Sequence, residues 1–284
     1  MPPAPSASNS GASRRLTSGI IARQPRTRCR LPTHVLTARP NRQTSATSPR
    51  VALVDALRGF AVAQMIVYHF IYDLNHFGFI DVRMLIDQPW IGWRTAIVTQ
   101  FLLLVGVSLV LRTRHKPAWS DFRHRWLQVA AAAALVSAGS GLVFGPRFIW
   151  FGILHFIAVA LILVRLLIPL GAWNLALGTV ALAAGLLFAA DAFNAAPLNA
   201  LGFVTQKPSS EDYVPLFPWI GVVLLGAGAG ALWARRGFVL VPSLTALNES
   251  PPRLLVLLGT WALTVYLLHQ PVLMGLLWLV RRSV

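Results

Sequence analysis

From Val51 onward the chain repeats one pattern: an apolar run of about 20 residues, the length that crosses a bilayer, then a short polar connection. Seven runs can be laid out, roughly 52–74, 91–111, 126–144, 148–168, 173–190, 216–234 and 254–280. The expected fold class is an all-α integral membrane protein, a polytopic bundle of about seven transmembrane helices. The fifth run is rich in small residues, and the sixth carries Gly221, Gly226, Gly228 and Gly230, which predicts close helix packing. Trp90, Trp93, Trp119, Trp126, Trp150, Trp173, Trp219 and Trp278 fall near run ends, where membrane–water interfaces favour them.

The first run breaks the apolar pattern. Its sequence, VALVDALRGFAVAQMIVYHFIYD over residues 51–73, carries Asp55, Arg58, His69 and Asp73. At about 100° per residue the four share an arc of roughly 60°. A charge at membrane depth costs at least ~2.5 kcal/mol unless it faces protein, water or a partner. One stripe of such residues marks the place where chemistry is expected.

Composition separates the chain into two materials. Residues 1–49 are rich in Arg, Ser, Thr and Pro, with no acidic residue and no apolar run, and cannot bury enough surface to fold alone. They read as a disordered basic tail, and the composition suits a transit peptide, an arm near anionic lipid, or a start codon placed too far upstream. Residues 50–284 form the membrane domain. The net charge of +16 does not point to nucleic acid, because nine arginines lie in the first 50 positions and most other basic residues fill loops between apolar runs. The single Cys29 lies in the tail, which leaves no disulfide framework, thiolate metal site or cysteine nucleophile.

Loop charge predicts orientation. Arg112, Arg114, Lys116, Arg123 and Arg125 fill the second loop, and Arg235, Arg236 and Arg253 the sixth. The opposite loops mix Arg83, Arg147 and Lys207 with Asp81, Asp87, Asp191, Glu211 and Asp212. A cytoplasmic N-terminus in an inner membrane fits this bias, although Arg281 and Arg282 then end on the outer side. With that topology His69, His155 and His269 all fall in the outer half of the membrane, level with the loop carrying Glu211 and Asp212.

His69 and Asp73 are an i, i+4 pair, with His76 continuing the face. A carboxylate one turn away can orient an imidazole that acts as general base. Asp55 and Arg58 sit at i, i+3 near the cytoplasmic end, either as a snorkelling pair that fixes the helix or as an anchor for an anionic donor. Arg58 and His69 are 11 positions apart, about 16 Å along a helix, so they serve different ends of a ligand. His155, Asp212, His269 and Gln270 are expected to line the site, and Pro271 to disturb the helix beside His269. Ligation of a metal or haem by histidines from separate runs is the minor reading; there is no HExxH, and no metal is expected.

The segments DALRGFAVAQMIVYHFIYDLNHFGF, FLLLVGVSL, WFGILHFIA, DYVPLFPWIGVVLLG and YLLHQPVL carry a resemblance. Over about residues 50–280 the chain resembles the bacterial proteins grouped with the catalytic domain of heparan-alpha-glucosaminide N-acetyltransferase. Its opening is also similar to the acyltransferase-3 proteins, which begin with a DGLRG-like motif and place an arginine and a histidine at the spacing of Arg58 and His69. The chain departs from the lysosomal enzyme in lacking the loop after its first family helix and the histidine in it. The resemblance implies a membrane-embedded acyltransferase that uses acyl-CoA as co-substrate and a glycan or other polar acceptor. His69 and Asp73 are the expected catalytic residues. The competing class is a transporter or proton relay built on the same Asp and His stripe.

Overall fold

The computed structural model describes residues 51–113 and 119–283. The basic tail with Cys29, and Arg114 and Lys116 of the second loop, lie outside the described residues. Among the described residues the regular structure is helical: α1 (Ala52–His76), α2 (Gln88–Thr113), α3 (Trp119–Phe144), α4 (Ile153–Leu167), α5 (Trp173–Leu187), α6 (Leu216–Arg235), α7 (Pro242–Glu249), α8 (Arg253–Thr260) and α9 (Ala262–Ser283). A backbone in lipid must satisfy its own hydrogen bonds, and helices are how an open chain does so. Asp55 in the first turn of α1 complements the helix dipole. Gly78, at φ 77°, lets the chain leave α1, with Phe79 N–H donating back to the Leu74 carbonyl.

Among the described residues six helices are long and apolar enough to cross a membrane: α1, α2, α3, α4, α6 and α9. Two of the seven runs differ from expectation. The fifth run forms a helix of 15 residues, about 22 Å long against a hydrocarbon core of about 30 Å, and Phe188 then turns extended. The seventh run is broken at Trp261, which leaves α8 and α9 as two pieces. Pro271 stays inside an unbroken α9, since it removes only the one N–H that would meet the Leu267 carbonyl.

Contacts fix the relative directions of the helices. A Cβ at Gly106 would fall on the backbone of Val223 and Ala227, and one at Gly230 would meet Val107 and Val110, so α2 and α6 run parallel. Gly178 lies against Leu225 and Gly185 against Pro218, so α5 and α6 are antiparallel. Gly59 abuts Leu255 and Gly259, and ten residues further along His69 abuts His269, so α1 and the α8–α9 run are parallel and in register. Leu102, Phe156, Val164 and Val223 are sealed where α2, α4 and α6 meet. Leu142 and Leu187 stand almost fully exposed, as lipid-facing leucines do. Helix α9 lies at the rim, yet its Tyr266, His269 and Gln270 turn inward.

Candidate active site

The stripe on α1 resolves into two stations joined by amides. At the first, Arg58 Nη1 meets Asp55 Oδ1 at 2.6 Å, and both side chains are largely buried. The same guanidinium donates to Ser108 Oγ at 2.7 Å and to the Gly259 carbonyl at 3.4 Å. Arg58 therefore ties α1 to α2 and α8. Between the stations Gln64 Nε2 donates to Gln100 Oε1 at 3.0 Å, and Trp93 Nε1 donates to Gln64 Oε1 at 3.2 Å.

The second station lies between α1 and α9. The His69 and His269 rings meet edge to face, with centroids 5.0 Å apart. Asp73 has no exposed surface, and its Oδ1 accepts a hydrogen bond from Gln270 Nε2 at 2.7 Å. No hydrogen bond joins Asp73 to His69, although their spacing suggested one. The carboxylate turns instead to the amide that α9 offers, and the imidazole turns to its counterpart on α9. His269 Nδ1 lies 2.7 Å from the Tyr266 carbonyl. His69 Nδ1, Asp73 Oδ2, His269 Nε2 and Gln270 Oε1 are buried polar atoms with no partner among the described residues. Burying such atoms unpaired costs about 1–3 kcal/mol each. A cluster of four across one helix pair is the strongest polar anomaly in the structure.

A third group backs this station. Asp212 Oδ2, on the loop before α6, accepts from the backbone N–H of Ile153 at 2.8 Å and from the Tyr266 hydroxyl at 3.4 Å. Burial pushes the Asp212 carboxyl above the usual aspartate range, with these two donors opposing the shift. A Cβ on Gly152 would fall on that carboxylate, so the start of α4 needs glycine there. Tyr72 donates to Glu211 Oε2 at 3.4 Å, and Arg147 pairs with Glu211 at 3.2 Å.

Two histidines fall outside the cluster. His155 Nδ1 accepts from the Gly152 N–H at 3.4 Å, which leaves Nε2 to donate to Ser137 Oγ at 3.1 Å; Ser137 in turn donates to the Ile149 carbonyl. Both ring nitrogens are engaged in closing the α3–α4 hairpin. His76 is exposed at the end of α1, its ring against Phe77. Tyr266, which the sequence reading passed over, lies one helical turn before both His269 and Gln270, and that spacing was available as a signal.

A cavity of about 530 Å³ opens between α3 and the α8–α9 run, extending from Arg125 and Gln128 past Thr260 and Trp261 to Leu135 and Leu267. Among the described residues no three His, Cys, Asp or Glu side chains are grouped to hold a metal ion.

The family model described as heparan-alpha-glucosaminide N-acetyltransferase, catalytic, matches residues 50–271, and the chain belongs to that family. A transferase activity of the acetyltransferase type goes with membership. No curated protein and no solved structure matches the chain.

Proposed function

We propose that the protein moves an acyl group, acetyl in the simplest case, from acyl-CoA to a hydroxyl or amine of a sugar-type acceptor. The observation that carries this reading is the buried group on α1 and α9: His69, Asp73, His269 and Gln270, with four polar atoms left open. Gln270 Oε1 can only accept hydrogen bonds, and Asp73 Oδ2 accepts them when the carboxylate is ionised, so a group that brings N–H or O–H donors, as an acyl acceptor does, suits both. A facing imidazole supplies the base that an uncharged alcohol or ammonium nucleophile requires. Direct transfer needs no protein nucleophile.

The donor's phosphates require cations elsewhere. Arg58 has both terminal nitrogens committed to Asp55, Ser108 and Gly259, so we place the anionic end of acyl-CoA at the mouth of the cavity, on Arg125 and Gln128. On the loop-charge orientation this end faces the cytoplasm. Site residues His76 and His155 are then positioned away from the chemistry.

The test is thiol release from acetyl-CoA by purified protein in nanodiscs, with amino sugars and polyols offered as acceptors. Acceptor-dependent thiol release, with Arg125→Ala raising the KM for the donor about ten-fold, is the expected result. No thiol release together with proton-coupled solute flux would establish the transporter class instead.

A further inference from the structure

We infer, resting on the acyl-transfer reading above, that Nε2 of His269 is the atom that takes the acceptor's proton. The two facing imidazoles differ in what holds them. A carbonyl oxygen can only accept, so the 2.7 Å contact between His269 Nδ1 and the Tyr266 carbonyl puts the hydrogen on Nδ1. In the neutral ring Nε2 then carries the lone pair, and that nitrogen is buried with no partner among the described residues. This is the arrangement of a general base: one nitrogen held by a backbone acceptor, the other presented to the site. His69 is different. Its Nδ1 is buried and unpartnered, and no hydrogen bond fixes its tautomer.

The surroundings support His269 from both sides. Its own helix is fastened through Tyr266, whose hydroxyl reaches Asp212, and Asp212 also holds the start of α4. The next residue, Gln270, is clamped to Asp73 of α1. His269 is thus set between two interhelical ties, one on each side along the chain, which restrict rotation of α9 about its axis. His69 stands edge-on to it at 5.0 Å between ring centroids, and no hydrogen bond joins the two rings. The remaining open acceptors, Asp73 Oδ2 and Gln270 Oε1, are free to take further N–H or O–H groups of the same acceptor molecule.

The step balances without another reactant. The acceptor's oxygen or nitrogen forms a bond to the thioester carbonyl carbon, and its proton passes to His269 Nε2. The carbon–sulfur bond breaks, its electron pair leaves on the CoA sulfur, and the proton returns from His269 Nε2 to that thiolate.

His269→Asn separates base from scaffold, because an asparagine amide can still donate to the Tyr266 carbonyl but offers nothing at the Nε2 position. We expect this variant to bind acetyl-CoA like the wild type while kcat falls about 100-fold or more. The thermal midpoint of His269→Asn is expected to stay at the wild-type value, which separates loss of the base from loss of the fold. In ¹⁵N-histidine-labelled protein, the imidazole signal that disappears in His269→Asn is expected to report an Nδ1-protonated ring. An Nε2-protonated signal, or a folded His269→Asn protein that keeps more than a tenth of wild-type kcat, overturns the assignment and leaves the acyltransferase reading standing. A wild type that binds donor but transfers nothing to any acceptor overturns the reading and the assignment together.

Discussion

Arg58 illustrates how much a polar residue's partners decide. Its type and position admit an anchor for phosphates or a fixture for the helix, and its partners Ser108 and the Gly259 carbonyl lie far along the chain, out of reach of local pattern. The account expects Arg58→Ala to leave Asp55 without its cation and to cost about 2 kcal/mol or more, read as a lowered thermal midpoint in detergent, while donor KM moves less than that of Arg125→Ala. Asp212 gives a prediction of opposite electrostatic sense. Its folded pKa is raised, so the folded state holds the proton more tightly than the unfolded chain. Stability should decline as pH rises from the ordinary aspartate value of about 3.9 through the elevated folded value, and level off above it. Asp212→Asn, which still accepts from Ile153 and Tyr266, should flatten that slope in thermal melts taken across pH. An unchanged slope would remove Asp212 as its source. At this scale the i, i+4 pair of His69 and Asp73 was visible in the sequence, but its expected hydrogen bond was not formed, because rotamer choice follows the partner helix and not spacing alone.

At the scale of elements, the apolar runs were legible because lipid forces the whole span into helix. Their ends were less so. The break at Trp261 falls in a stretch, LLVLLGTWALTV, that carries no proline, two residues after Gly259 meets the backbone of α1. Pro271, the visible breaker, breaks nothing. The glycines of α6 did announce their role, and their partners on α2 and α5 could be learned only from the fold. Gly106→Leu should drive a side chain into the backbone of Val223 and Ala227. With no hydrophobic force between helices in lipid to compensate, it should cost about 3 kcal/mol or prevent assembly. Size-exclusion profile and thermal midpoint would register this, and a well-behaved variant of wild-type stability would refute the close α2–α6 contact.

At the scale of the molecule, the parallel register of α1 with the α8–α9 run places Arg58 beside Gly259 and His69 beside His269. The two stations thus lie about 16 Å apart along the helix, with the cavity carrying Arg125 toward the first and the histidine pair at the second. Shared depth of His69 and His269 was readable from run lengths and loop charge. That His155 is spent on the α3–α4 hairpin was not, since Ser137 and the Gly152 N–H reach it only after folding. The proposal that follows is a two-sided one: donor enters from the side where α1 begins, and acceptor is served at the other end. Sealed proteoliposomes of known orientation, given labelled acetyl-CoA on the N-terminal face and an amino-sugar acceptor on the opposite face, test this most directly. The account predicts labelled acceptor from that arrangement and none when the two substrates exchange sides. Equal labelling in both arrangements, or none in either, would contradict it.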